Sequence, residues 1–193
     1  MGYLGNQITT VFPTSISVDS ATISGNASVG GTLGVTGVST LSENIVFDAS
    51  GKGVHLGVTS ATASNLLDDY EEGTFTPAIN SGATGGSYTD TGGNYTKIGN
   101  MVTFTARIQP SGWTGNSDGF NLSGLPFTSA TGVKQGGAFF NYHGNFEDPI
   151  PTLHVGAGNT LISFFAQGGA GLTGNAINNL NVTIHIQGFY YTG

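Results

Sequence analysis

An acidic cluster is the densest group of titratable side chains in the sequence, and it holds four of the eleven carboxylates. Its members are Asp68, Asp69, Glu71 and Glu72. Carboxylate oxygens are the ligands that Ca²⁺ and Mg²⁺ prefer, so one interpretation is a cation site. The cluster lacks the spacing and the glycine of an EF-hand loop. The alternative is a solvated acidic collar that pairs with Lys97 or Arg107.

Other catalytic and metal-binding patterns are missing from the sequence. A glycosidase needs two carboxyl groups facing each other across a sugar cleft, about 5 to 9.5 Å apart, and a short acidic segment offers no cleft. The four histidines show no metal-ligand spacing. There is no nucleophile elbow, P-loop or dinucleotide fingerprint. We therefore predict that the protein is not an enzyme and uses no cofactor and no metal.

A binding surface for glycans or another receptor is predicted on two loops, around residues 111–119 and 142–150. Aromatic rings can stack on sugar rings, and carboxylates can accept hydrogen bonds from sugar hydroxyls. The predicted contact residues are Trp113, Tyr142, His143, Glu147 and Asp148. For Trp113 the alternative is a turn residue that packs over the edge of a sheet.

Residues 21–44 contain a six-residue repeat, ATISGN, ASVGGT, LGVTGV and STLSEN. Glycine occupies the fifth place of the first three repeats, and Ile, Val, Val and Leu occupy the third place in turn. The first and third places lie on the same side of an extended chain. Each repeat is therefore predicted to be a short strand with one apolar side, followed by a glycine corner with φ > 0.

This ribbon cannot be stable as a single chain. Ordering its backbone costs roughly 24 to 48 kcal/mol, whereas its apolar side chains return only about 10 to 20 kcal/mol when fully buried. A single-chain β-helix would need more repeats, and a low-complexity linker is the remaining alternative. Three copies wound about one axis would supply the missing faces, so we predict a trimeric β-shaft over residues 21–47. The predicted trimer-core residues are Ile23, Val29, Leu33, Val35 and Leu41.

The first 20 residues have no clear period, and Pro13 excludes a helix through their middle. We predict an anchoring peptide that becomes ordered on a larger partner, with a frayed terminus as the alternative. The candidate anchor residues are Tyr3, Leu4, Ile8, Val11 and Phe12.

Residues 48–72 are predicted to be a connector with a short acidic helix, the only helix candidate in the chain. Ser64 or Asn65 could cap this helix. Leu66, Leu67 and Tyr70 would then share one face at roughly helical spacing.

From residue 73 to 193 the pattern is strand and turn. Residues 101–108 and 182–186 alternate between apolar and polar side chains. Residues 161–166 are apolar on both faces, which predicts a central strand or a strand covered by a neighbouring subunit. Glycine, asparagine and proline clusters separate these runs. We predict an all-β fold in which the trimeric, intertwined stalk is followed by a C-terminal β-sandwich or jelly-roll knob.

The composition restricts the partners. The net charge is −7 and the chain has four basic residues, so it cannot form a phosphate-binding surface for nucleic acid. No apolar run is long enough to span a bilayer, and no basic region followed by an apolar run marks a secretory signal. Only 8% of residues are charged and none is cysteine, a composition typical of β-rich extracellular or virion proteins.

Five segments resemble the C-terminal part of tail-fibre and related appendage proteins of tailed bacteriophages, particularly marine and cyanobacterial ones. They are FDASGKGV (47–54), LLDDYEEGTFTPAI (66–79), NYTKIGNMVTFTARI (94–108), LSGLPFTS (122–129) and QGFYYTG (187–193). The resemblance covers about the last three-quarters of the chain. It implies a homotrimeric virion appendage with an N-terminal attachment region, a narrow shaft and a C-terminal β-knob.

The expected function is that of a short fibre, a structural and adhesion component of a phage particle assembled in the bacterial cytoplasm. Its expected partners are two further copies, a capsid or tail protein at the N-terminus, and a host-surface glycan. The short shaft leaves open a capsid-decorating head fibre or cement protein. A polysaccharide-degrading tailspike is a third reading, but it would need a long β-helix.

Overall fold

The computed structural model describes residues 22–132, 136–143, 151–166, 168–176 and 183–193, with the backbone alone for 141–143. The chain divides into two compact units, Met1–Ile45 and Val46–Gly193. Among the described residues, no helix has the length and apolar character that crossing a bilayer requires. The all-β class is confirmed, because strands form nearly all of the regular structure.

The six-residue repeat is visible in the backbone of the ribbon. The chain bends at residues 24–25, 30–31, 36–37 and 42–43, and the same interval leads to a further bend at 48–49. No hydrogen-bonded strand forms between these bends, because a strand needs a partner and a single ribbon has none. Every residue from 22 to 52 is exposed.

The glycine corners differ from the prediction. Gly25, Gly31 and Gly37 lie at the bends, but none of them has a left-handed φ, so the expectation of φ > 0 is wrong. In addition, no atom of the same chain comes within 4 Å of the place where a Cβ would stand, apart from the immediate sequence neighbours. The bends are therefore ones that other residues could adopt within an isolated chain.

The described residues of the second unit form thirteen strands, and every pairing between these strands is antiparallel. The strands are β1 (Val54–His55), β2 (Leu66–Leu67), β3 (Tyr70–Phe75), β4 (Ala78–Ser81), β5 (Ala83–Thr84), β6 (Ser87–Ile98), β7 (Met101–Ser111), β8 (Thr114–Gly115), β9 (Asn121–Ser123), β10 (Gly136–His143), β11 (Thr152–Val155), β12 (Ile162–Phe165) and β13 (Ile184–Tyr191). β1 pairs with β2, and β5 pairs with β8. The other nine form one sheet in the order β3-β6-β7-β13-β10-β11-β12-β9-β4.

The acidic helix predicted within residues 59–72 is wrong. Only one 3₁₀ turn, Ala63–Asn65, forms there, and it includes both proposed cap residues. Leu66 and Leu67 form β2, and Tyr70 begins β3. The physical reason is tertiary: β6 offers a row of backbone partners to β3, from Tyr70 opposite Ile98 onward, and this pairing overrides the weak helical spacing.

The large sheet is continuous and curls until its two ends meet in one chain segment. β3 and β4 stand at opposite ends of the strand order, yet only Thr76 and Pro77 separate them in sequence. The Ile79 N–H donates to Tyr88 Oη at 2.7 Å, and Thr91 Oγ1 donates to the Pro77 carbonyl at 2.7 Å. These bonds hold β4 beside β6. The nine strands therefore form one continuous curled sheet, or roll, with β3 and β4 as its edge strands, whereas the sequence predicted a β-sandwich or jelly roll.

The core fills the inside of this roll, as the alternating segments predicted. Val102, Phe104, Ala106 and Ile108 of β7 are all buried, and the residues between them point outward. β13 alternates in the same way from Ile184, whereas Val182 lies outside the described residues. The predicted central strand within 161–166 is confirmed, because β12 lies between β11 and β9.

Phe164 and Phe165 offer a matched test of the β12 register. Phe164 is 2% exposed and packs against Phe120 and Phe140, with ring centroids 4.9 and 5.7 Å away. Phe164→Ala should lower the free energy of unfolding by about 3 to 5 kcal/mol. Phe165→Ala, on the half-buried face, should cost about 1 kcal/mol. Urea unfolding at one fixed protein concentration measures both, and equal losses would contradict this register.

Candidate binding surfaces

Trp113 lies in the short loop between β7 and β8, where it is half-buried. Its ring packs against Tyr88 with centroids 5.4 Å apart, and its indole N–H donates to the Ser87 carbonyl at 2.8 Å. Gly86 also packs against the indole ring, because a Cβ atom at Gly86 would stand 2.1 Å from Trp113 Cδ1. Trp113 thus occupies the position of a packed turn residue, with only part of its ring available to a ligand.

The other predicted contact residues are less fully described. Tyr142 and His143 end β10, opposite His185 and Ile184 of β13. Glu147 and Asp148 lie outside the described residues, as do the anchor candidates Tyr3, Leu4, Ile8, Val11 and Phe12. The grouping of Trp113 with these residues therefore remains a prediction.

The strand register nevertheless places the ends of β7 and β10 at the same end of the sheet. His143 pairs with Ile184, and Ile184 pairs with Ile108, so the ends of β10 and β7 lie at the same level. The loop with Trp113 follows β7, whereas residues 144–150, which come after β10 in the sequence, lie outside the described residues. At the opposite end, Tyr70 pairs with Ile98, where β3 starts. The loop with Trp113 therefore leaves the sheet at the end far from the start of β3.

The acidic cluster is divided between the two faces of β3. Asp69 forms an ion pair with Lys97, and Glu71 accepts a hydrogen bond from Tyr95 Oη. Glu72 points to the other face, where Tyr70 Oη donates to it. Among the described residues, no group of three or more His, Asp or Glu side chains could hold a metal ion. The predicted pairing with Lys97 is confirmed.

The predicted alternative of pairing with Arg107 is wrong, because Arg107 forms its ion pair with Asp90. Asp90 follows a register shift in the β6–β7 pairing and lies opposite Gln109, two residues from Arg107. β3 pairs with β6 only as far as Gly93 and therefore ends before it reaches this level. The two cations are thus neutralised on different parts of the sheet.

Lys97 stands at one mouth of the roll, beside a cleft of about 880 Å³ that Asp69, Glu71 and Ser129 help to line. Lys97 is only 8% exposed, and its ammonium also lies 5.7 Å from the centre of the Phe127 ring. Burial with a carboxylate partner and an aromatic face keeps this charge stable inside the fold. The cleft can bind polar groups, but it holds no nucleophile and base in contact.

A groove of about 390 Å³ lies on the outer face of the sheet, and the sequence did not predict it. Its floor carries uncharged polar side chains, and two exposed aromatic rings stand above them. The main contributors are Asn94, Thr96, Thr103, Thr105, Gln187, Phe139 and Phe189. Extending the alternation of β13 past Ile186 would have shown that Phe189 points outward. No comparable pattern in the sequence predicts that β13 pairs with β10, which brings Phe139 to the groove.

Comparisons with known proteins leave the family open. No protein-family model matches the chain, and no curated protein matches it. Among solved structures, the chain is similar to the crystal structure of Dettilon tailspike protein, with 18% sequence identity and a TM-score of 0.48. The match covers 63% of this chain and 24% of that one, so the chain spans about a quarter of the tailspike's length.

The folding stability of the protein is predicted to depend on pH through Tyr190. Burial raises its pKa to about 12, and its Oη accepts a hydrogen bond from the Phe127 N–H at 3.2 Å. Because the folded pKa lies above the unfolded value of 10.0, the stability that Tyr190 contributes is complete below pH 10 and is lost as the pH rises through 12.

We expect Tyr190→Phe to be less stable than the wild type at pH 8, by about 1 kcal/mol, because it loses this acceptor. The difference should shrink, and can reverse, between pH 10 and 12. Urea unfolding at pH 8, 10 and 11.5 measures it. A difference that stays constant over this range would contradict the role assigned to Tyr190.

Proposed function

We propose that the protein is a homotrimeric short fibre of a bacteriophage particle, whose C-terminal knob binds the host surface. The observation that carries this proposal is the ribbon, which bends every six residues and leaves its apolar side chains uncovered. The trimer-core candidates are between 52% and 72% exposed, namely Ile23, Val29, Leu33, Val35 and Leu41. Two sister ribbons would cover these side chains and supply the hydrogen-bond partners that the single ribbon lacks.

The glycines at the bends support contact between chains. Glycine in a regular element costs about 0.5 to 1 kcal/mol relative to alanine, so its repeated use needs a reason. Neither a left-handed φ nor a crowded Cβ supplies that reason at Gly25, Gly31 or Gly37 within one chain. A sister backbone passing close to each bend does supply it, because a methyl group there would hold the chains apart.

The host-binding role fits the placement of the loops in the second unit. The loop with Trp113 leaves the sheet at the end opposite the start of β3, and residues 144–150 are predicted to join it in the receptor surface. Three identical knobs convert weak single contacts into firm attachment. The tail-fibre resemblance of the second unit supports the same role, with residues 1–20 attaching the fibre to a capsid or tail protein.

Val35 and Val38 provide a matched test of the trimer. Both belong to the repeat LGVTGV, but Val35 occupies the third place and Val38 the sixth, and they are 52% and 92% exposed. Val35→Asp would bring three carboxylates together in the shaft, at a cost of several kcal/mol, whereas Val38→Asp would point into water.

Size-exclusion chromatography with light scattering should give three times the chain mass for the wild type and for Val38→Asp. Val35→Asp should release monomer at micromolar concentration. If the wild type is a monomer, the proposed fibre is excluded. If the two variants have the same mass, the third place of the repeat does not form the trimer core.

Trp113 is the single tryptophan of the chain, so its emission reports on the predicted receptor loops. Titration with purified bacterial lipopolysaccharides and capsular polysaccharides should shift this emission for a bound glycan. Trp113→Ala should weaken binding about tenfold, since stacking on one ring contributes on the order of 1 kcal/mol and three knobs act together. Trp113→Phe should keep most of the binding. Binding without an emission change would move the site away from these loops.

A further inference from the structure

The exposed large hydrophobic side chains of the nine-stranded sheet all lie on one face, within the part of the chain that the structure describes. They are Tyr70, Ile98, Met101, Phe139 and Phe189, with exposures between 36% and 59%. The alternation of β7 shows which face this is: Met101 points away from the core, and its neighbour Val102 is fully buried. We call this surface the outer apolar face.

The strand register makes the outer apolar face continuous across five neighbouring strands. Tyr70 of β3 pairs with Ile98 of β6, and Ile98 pairs with Met101 of β7. Met101 pairs with Tyr191 of β13, whose ring lies 6.2 Å from that of Phe189. Directly paired side chains on one face stand about 5 Å apart, so these residues touch in sequence across the sheet.

The groove extends the patch to Phe139 of β10. Phe139 pairs with Gln187, which lies two residues before Phe189 on the same face. The surface between the rings is uncharged, with Thr103 and Thr105 at its centre. Among the residues that the structure describes, the charged groups of this face stand at its margins: Glu72 at the β3 side, and Arg107, paired with Asp90, towards the end of β7. An uncharged centre with aromatic residues and a polar rim is typical of a protein interface.

The area of the patch also lies in the range of the largest apolar patches on a monomer, which often have a function. A large side chain that is about half exposed presents on the order of 100 Å², so five of them present about 500 Å² of apolar surface. Contiguous apolar patches of this size mark interaction sites. With the polar residues between them, the face approaches the roughly 800 Å² per partner of a standard interface.

We infer that the outer apolar face packs against the same face of sister copies, so that the second units of three chains meet around an axis. This inference rests on the proposed homotrimer. The described sheet offers one apolar face per copy, and one face suffices when every copy turns it towards the axis. An open head-to-tail chain would need a second, different patch.

A neutral saccharide is the rival occupant, because two phenyl rings above a floor of threonine and amide side chains suit a sugar ring. Such a ligand accounts for the groove, including Phe139 and Phe189. It leaves Tyr70, Ile98 and Met101 unexplained, since these do not line the groove. A sister copy covers all five side chains, and it needs no additional partner.

The chain contains no cysteine, so single cysteines can test this inference in the full-length protein. Thr105→Cys places a thiol on the outer apolar face. Thr114→Cys is the matched control, an exposed strand threonine in the small β5–β8 pair. Labelling of the native trimer with a maleimide dye should be about tenfold slower at position 105, which corresponds to about 1.4 kcal/mol of protection. In urea the two rates should be equal.

The outcomes separate this inference from the proposed function. A trimeric mass with slow labelling at position 105, and the same result for Thr103→Cys, supports the face-to-face contact. A trimeric mass with equal rates at 105 and 114 overturns it and leaves the shaft trimer standing. A monomeric mass overturns both. If labelling at 105 slows only when maltose or another neutral oligosaccharide is added, the groove is a sugar site and the sister contact is excluded.

Discussion

Closure of the large sheet by one chain segment is the constraint on which the second unit depends. β3 pairs with β6 at one end of the strand order, β4 pairs with β9 at the other end, and two residues join them. The curled sheet has its two edge strands, β3 and β4, joined by this one segment. It also has only one inside and one outside. The alternation of every strand therefore decides whether a side chain belongs to the core or to the surface.

The charged side chains of the sheet are likewise divided between its inside and its outside. Asp69 and Lys97 meet at the inner mouth, whereas Arg107 and Asp90 meet on the outside near the loops. With only four basic residues in the chain, these two pairs use half of its cations. The middle of the outer face is consequently left to threonine, asparagine and aromatic side chains.

The sequence predicted best where one local pattern controls the outcome. Met101 to Ile108 alternates strictly because one side meets the core, and the six-residue interval of the ribbon reappears as bends in the backbone. The sequence-based prediction was wrong where the local structure depends on pairing with a strand that is distant in the sequence. Residues 66–75 have some helical spacing, but β1 and β6 recruit them as strands. The outer apolar face depends on the register between β6, β7, β13 and β10, and no short pattern encodes that register.

The glycine corners show a different limit. Sequence reasoning linked glycine to a left-handed φ, which is its commonest use in turns. At Gly51 and Gly57, just after the ribbon, this use is present. At Gly25, Gly31 and Gly37 it is not, and the bends form without it. The same residue type thus serves two purposes within forty residues, and only the backbone geometry tells them apart.

The pairing of β3 with β6 also determines how the second unit bears a mechanical load. The chain from the ribbon enters the sheet at Tyr70 and continues along β3, which is bonded to β6 through six residue pairs. A pull along this strand stretches all of these bonds together, in shear, instead of breaking them one after another as in a zipper.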